Sequence, residues 1–247
     1  MLFLEMINQY IIKAIIYILS IFDYSNKIKI KNFFIKQFQH SSLNIIDIGA
    51  HKGETIKFFL KNFTVNKIFS FEPNIELFIE LKKQNYPKEN VEIFNYGVGK
   101  ENKRGNLKIM NDTSSSTFND LNENTQYFKK KKTFLSIFSK NNSLIQRAQS
   151  IEIINLSTFL HKKDLSKIDI LKIDTEGYEY NILKGIEKLH FKKIKFIYFE
   201  HHFDLMIEKK YKFFDINEHL INNNFKQKLK MKMKFRKSFE YIYENQA

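Results

Sequence analysis

The stretch Asn44-Ile45-Ile46-Asp47-Ile48-Gly49-Ala50-His51-Lys52-Gly53-Glu54-Thr55 constrains this chain more than any other. Ile45, Ile46 and Ile48 around Asp47 read as a short buried strand that breaks at Gly49 and restarts as a helix near Thr55. Glycines at 49 and 53 let a backbone pass where a side chain would collide. The amide groups opening the new helix then point at whatever lies there. A strand, a glycine turn and a helix N-terminus together make a nucleotide-type cofactor site.

The pattern that follows is strand, helix, strand, helix. Lys67–Phe71 reads as the second strand, Asn74 to about Asn85 as a helix, and Val91–Tyr96 as a third strand ending in Gly97-Val98-Gly99. Later come the dense strand Ile168–Ile173, a helix Tyr180–Leu189, the strand Lys195–Glu200 and a helix Leu205–Asn222. From Leu229 to Phe235 lysines alternate strictly with apolar residues, as on a half-exposed edge hairpin added antiparallel to a parallel sheet. The fold class expected is α/β, a Rossmann-like doubly wound, mostly parallel seven-stranded sheet with an antiparallel C-terminal hairpin and added N-terminal helices. Residues 1–40 form a helical extension and 41–247 one domain. Residues 100–150, with the run Asp112–Thr117 and the cluster Lys129–Lys132, break the rhythm and read as a partly mobile lid or substrate insertion.

Residues 1–22 are strongly apolar, but the longest uncharged piece, Ala14–Phe22, has nine residues where a bilayer needs about 20. A helix packed on the domain and a membrane-surface or dimer-forming helix both fit this stretch. It lacks the basic start and cleavage site of a signal peptide, so a cytoplasmic location, with peripheral membrane contact as the variant, is expected. The chain has no cysteine, which excludes disulfides, thiolate-ligated zinc, iron–sulfur clusters and a cysteine nucleophile. Its formal charge of +14 invites a nucleic-acid partner. The lysines are scattered, however, and the composition is skewed to Lys, Ile, Asn and Phe, so nucleic acid is not the expected partner.

Glu72 ends the second strand in Phe71-Glu72-Pro73-Asn74, where an acid accepts hydrogen bonds from both ribose hydroxyls of an adenosine cofactor. Pro73 starts a helix behind it and fixes the carboxylate. The dinucleotide signature is G-x-G-x-x-G, whereas this chain has D-x-G-x-x-x-G from Asp47. A carboxylate at Asp47 opposes a pyrophosphate and suits a cation bearing an amino group and a sulfonium, S-adenosylmethionine. Asp174, Glu176 and Glu179 concentrate negative charge at the end of the Ile168–Ile173 strand, or serve as caps and helix-dipole partners there. Lys172 on that strand needs a carboxylate partner if buried. Glu200, His201 and His202 end the next strand. Glu200 or His201 is the candidate base, with Asp174 beside them. His202 and Glu176 are candidate substrate contacts, and no spacing selects a metal.

IDIGAHKGETIKFF, FEPN, NYGVG, DILKIDTEGYEYNILKG and FIYFEHH occur in the order found in FkbM-type S-adenosylmethionine-dependent methyltransferases. The chain resembles that family over about residues 44–203. The resemblance implies a class I methyltransferase that methylates hydroxyl groups of sugars, polyketides or other small molecules. It implies that Asp47, Gly49, Ala50, His51 and Gly53 form the cofactor loop, and that Glu72, with Pro73 and Asn74, binds the ribose. Asn95, Tyr96 and Gly97 would lie near the adenine, and Ser115 and Ser116 resemble a serine pair in relatives and are candidate substrate contacts. The function expected is transfer of a methyl group by direct displacement to a glycan or small-molecule hydroxyl. The alternatives are a catalytically silent cofactor-binding scaffold of a surface-polysaccharide complex, an RNA ribose methyltransferase, and a nicotinamide-dependent oxidoreductase.

Overall fold

A computed structural model describes residues 24–39, 41–110, 116–136, 145–163, 165–234 and 236–247. The apolar stretch 1–22 and Ser115 lie outside the described residues. Helix α1, residues 24–38, opens the described chain. β1 Leu43–Ile48, α2 Glu54–Asn62, β2 Val65–Phe71, α3 Ile75–Lys83 and β3 Val91–Phe94 follow in the expected alternation. After them come β4 Gly97–Gly99, β5 Lys103–Met110, β6 Asp120–Leu121, α4 Gln126–Ser136 and β7 Ile145–Asn155. The last part is α5 Leu156–Lys163, β8 Ile168–Ile173, α6 Glu179–Leu183, α7 Lys188–Phe191, β9 Ile194–His202, β10 Ile207–Glu208, α8 Phe213–Asn222, β11 Phe225–Lys232 and β12 Ser238–Asn245.

Seven strands form the main sheet in the order β11-β12-β9-β8-β1-β2-β3. Only β12 runs against its neighbours, pairing antiparallel with both β9 and β11. Alternation along each strand sends successive side chains to opposite layers. Ile46, Ile48, Leu171, Ile173, Ile197 and Phe199 pack under α5–α8, while Ile45, Ile170, Phe196 and Tyr198 pack under α1 and α2. In α1, Ile30, Phe34 and Phe38 recur every fourth residue and bury one stripe. Phe34 meets Phe59 of α2 and Phe196 of β9, which sets α1 on the layer above the candidate site. On β11, Lys226, Lys228, Lys230 and Lys232 stay exposed while Met231 is buried, as expected of a charged edge strand.

Three local expectations change. Part of the region expected as a lid is ordered sheet: β5 and β7 pair antiparallel and β4 joins β7 in a second, three-stranded sheet. The helix expected over Tyr180–Leu189 splits into α6 and α7 around Gly185, where a Cβ would stand 2.7 Å from Gly99 O. The helix expected to begin at Leu205 begins at Phe213, because Ile207–Glu208 pairs with Leu121 and Asp120 as β10.

Candidate functional site

The first turn of the site follows β1. Gly49 has φ +88°, and a Cβ there would stand 1.9 Å from the carbonyl oxygen of Asp174. Gly53 has φ +81° and caps α2, with the Tyr86 hydroxyl 2.2 Å from the place of its Cβ. These glycines are therefore demanded by the chain's own close approaches, where the sequence suggested room for a ligand. The amides are engaged as well. Gly49 N and Ala50 N both donate to Phe71 O at 3.0 Å, and His51 N donates to Glu72 Oε2 at 2.7 Å.

Glu72 is 5% exposed and accepts a second amide, Asn74 N, at 2.9 Å through Oε1. It thus ties the glycine turn to the start of α3, where Asn74 accepts Glu76 N as the helix cap. Burial pushes its carboxyl up to about 7 against the pull of those two amides. A carboxylate has four lone-pair sites, so two remain for further donors. Asn95 Nδ2 donates to Glu72 O and Pro73 O at 2.9 and 3.0 Å. That side chain holds the backbone of the acidic corner beside the first lobe.

The second turn follows β8. Glu176 (φ 49°) and Gly177 (φ 90°) lie in the left-handed region, and four side chains hold them. Thr117 Oγ1 donates to Glu176 O at 2.8 Å, and Asn119 Nδ2 and Tyr211 OH donate to Gly177 O at 2.5 and 2.9 Å. Buried Glu179 accepts Gly177 N at 2.7 Å and Tyr211 OH at 2.5 Å.

Between these turns the groove has two lobes that share Gly49, His51, Asp174 and Glu176. The first, about 560 Å³, is walled by Glu72, Pro73, Tyr96, Gly97, Val98 and Leu107, with Ser116 and the ring pair Phe118–Tyr178. The second, about 1250 Å³, opens under α1 and carries Glu54, Glu200 and Glu240 with Lys27, Lys172 and Arg236.

A row of polar side chains runs beneath the second lobe in strand register. Ser70 pairs with Asp47, Asp47 with Lys172, and Lys172 with Tyr198, across β2, β1, β8 and β9. Ser70 Oγ donates to Asp47 Oδ2 at 3.3 Å, and Lys172 Nζ donates to Asp174 Oδ2 at 2.9 Å and lies 5.2 Å from the centre of the Tyr198 ring. Tyr198 OH donates to Glu240. Lys172 thus finds the carboxylate partner that its burial demands. Asp47 is fully buried and lines neither lobe, so it supports the floor instead of meeting a ligand directly. Burial lifts Asp47 to about 6 against Lys172. Burial also pushes Asp174 up, but Lys172 together with His202 and Arg236 outweighs it and leaves Asp174 below the usual carboxylate range.

Residues 47–227 match the Methyltransferase FkbM domain. The chain belongs to the FkbM methyltransferase family. Its fold is similar to that of the methyltransferase FkbM from Methylobacillus flagellatus KT, with 13% identity and a TM-score of 0.51. That match covers 82% of this chain and 44% of the other, so this chain spans less than half of that relative. It is also similar to magnesium protoporphyrin IX methyltransferase from Synechocystis PCC 6803 with bound SAM, with 8% identity, a TM-score of 0.50, and 91% and 80% of the two chains covered. At such identities the likeness concerns the fold. No curated protein matches the sequence.

Within this FkbM methyltransferase the two histidines that end β9 part company. His201 follows Phe199 onto the α6–α8 side. Its ring is 2% exposed, edge-on to Phe203 at 4.8 Å, with Nδ1 3.8 Å from Glu179 Oε2. It lines neither lobe, which removes the geometric ground for a base there. His202 stands at ion-pair distance from three carboxylates: Glu176 at 3.3 Å, Glu200 at 3.4 Å and Asp204 at 3.5 Å. Burial alone would depress it, but these acids outweigh burial and lift it to about 10. It is therefore a cation at neutral pH that holds the acids in place.

Glu200 does face the second lobe and is 7% exposed, with burial and Asp174 raising its carboxyl above the ordinary range. Glu240, Tyr198, Arg236, Phe118 and Tyr178 were missed as site residues. Glu240 had a signal, since an acid inside the apolar run of β12 needs a reason to be there. Phe118 lies in a segment with no readable period. Among the described residues, no helix is long and apolar enough to cross a membrane.

Proposed function

We propose that this methyltransferase uses S-adenosylmethionine to methylate a hydroxyl group of a glycan or other small molecule by direct displacement. The observation that carries the reading is the two-lobed groove, apolar and aromatic beside Glu72 and acid-lined beyond Asp174. Its residues fit the cofactor. Tyr96, Val98, Leu107, Phe118 and Tyr178 offer apolar walls to a base, and the open lone pairs of Glu72 offer acceptors to two ribose hydroxyls. Ionised Asp174 and the neighbouring Glu176 favour a sulfonium cation over a pyrophosphate.

When bound, S-adenosylmethionine supplies an electrophilic methyl group. The chain's work is then alignment, worth roughly 7–11 kcal/mol when the reacting atoms are well placed, and removal of one proton. Glu200 is the group for that proton: it lines the second lobe, where its carboxylate would take the hydroxyl proton of an acceptor whose oxygen receives the methyl group and so displaces the sulfonium's sulfur. A raised carboxyl keeps more proton affinity than a surface acid. Lys172 holds Asp174, and His202 stands beside Glu176, Glu200 and Asp204, so that Glu200 is fixed at the edge of the lobe where it can take a proton. The larger, polar second lobe suits an acceptor rich in hydroxyls better than a planar apolar one.

The test is transfer of labelled methyl from S-adenosylmethionine to glycan, small-molecule and RNA fractions, with products read by mass spectrometry. A methyl ether on a glycan or small molecule is the expected product. Methylation confined to RNA, or binding of S-adenosylhomocysteine with no turnover on any fraction, would overturn the acceptor class.

A further inference from the structure

Outside the groove, the chain leading into β8 and β9 brings three ligating side chains together. His161 lies in the last turn of α5, Glu187 precedes α7, and His190 lies within α7. Each offers a ligating atom within 4.8 Å of the others, the one such group of three among the described residues. None of them lines either lobe of the groove. We propose that His161, Glu187 and His190 bind a divalent transition-metal cation of the zinc type, which ties the end of α5 to α7.

The donor set selects the class of ion. Two imidazoles and one carboxylate are the ligands of a three-residue zinc site with its fourth position left to water, whereas calcium and magnesium require oxygen donors. The spacing is close to what such an ion needs. Bonds of about 2.0–2.1 Å in tetrahedral geometry put donors about 3.3 Å apart, and His161 Nε2 already stands 3.2 Å from Glu187 Oε2. Those two side chains are 55% and 51% exposed, so they are free to close the remaining gap to His190.

The support behind the ligands is built in. His190 is 1% exposed and its Nδ1 lies 2.9 Å from the buried hydroxyl of Ser157. The same hydroxyl accepts the amide of Glu187 at 2.9 Å. One serine therefore positions both a ligand ring and the backbone of a ligand carboxylate, as outer partners do at metal sites. When Nδ1–H donates to Ser157, the lone pair at Nε2 is left for a cation. The nearby ammonium of Lys193 is held by Leu165 O at 2.9 Å, so it does not occupy the place.

The experiment uses the full chain, freed of metal with EDTA and titrated with zinc chloride by calorimetry. Thermal unfolding and the visible absorption of cobalt(II) in the same site are followed in parallel. One saturable site is expected, with a melting rise of about 5 °C when zinc is a hundredfold above Kd, reversed by EDTA. His161→Ala and Glu187→Gln change exposed side chains, so both fold. Each is expected to weaken zinc at least tenfold and to abolish the cobalt spectrum. His51→Ala, which alters the other surface His–Glu pair, is expected to leave zinc binding as it is. No saturable binding by the parent, or binding unchanged in both ligand variants, would overturn the site and leave an ordinary histidine–glutamate surface pair.

Discussion

Lys172→Met removes the ammonium group under the groove and keeps an unbranched chain of similar volume. The lysine is 6% exposed, sits in register between Asp47 and Tyr198, and donates to Asp174 at 2.9 Å. Removing one partner of a buried pair leaves the other charge uncompensated, at about 3–5 kcal/mol. Here two acids lose their counter-charge. Asp47, raised from 3.8 to about 6 even with the lysine present, already withholds about 3 kcal/mol of stability at neutral pH. In the variant it climbs further, and Asp174 climbs with it.

An acid whose folded value is raised costs nothing below its unfolded value and the full amount above its folded one. The variant's deficit is therefore greatest above pH 7 and shrinks toward pH 5, as both carboxyls take up protons. Urea unfolding of the two proteins at pH 8 and pH 5 reads this directly. About 3–5 kcal/mol is expected at pH 8 and clearly less at pH 5. A deficit under about 1 kcal/mol at pH 8, or the same deficit at both values, would show that Lys172 does not compensate these acids.

Glu200→Gln is expected to slow turnover by about 10²–10⁴-fold while S-adenosylhomocysteine affinity, read by calorimetry, stays within a few-fold. In the parent, kcat should rise with pH through one ionisation above the ordinary carboxylate range, with no imidazole step near 6.5. His201→Phe, which keeps a ring in the aromatic cluster, should retain turnover, and a hundredfold loss would restore His201 as a candidate base. Glu72→Ala removes the acceptor of two backbone amides as well as the proposed ribose contact. It should weaken S-adenosylhomocysteine by about 10²-fold or more and lower the melting temperature too; a change in affinity alone would argue against its bracing role. Gly49→Ala places a methyl against Asp174 O at a φ of +88°, and a loss of about 3 kcal/mol in chemical unfolding is expected.

Much of this protein is written locally. The isoleucines around Asp47, the glycines at 49 and 53, the acid at 72 before a proline and the lysine alternation of β11 announce strand, turn, corner and edge, because period and backbone freedom are properties of short stretches. Lys172, an ion inside an apolar strand, announces a buried pair for the same reason. Which acid it meets, and that Asp47 ends in the floor and not in the groove, depends on how β1, β8 and β9 align, and no single strand records that register.

The histidines show the limit most plainly. Side by side in sequence, His201 and His202 look equivalent; pleating sends one among aromatic rings and the other among three carboxylates, so their chemistry diverges. The glycines carry the same lesson, since a sequence shows that a side chain is unwelcome at 49 and 53 but not that Asp174 O and the Tyr86 hydroxyl are what exclude it. Local pattern determined the elements and the turn chemistry of this methyltransferase. Contact across strands distant in the chain decided which ionisable groups are paired, which are raised, and which face the groove, because burial and charge partners arise only once the sheet has closed.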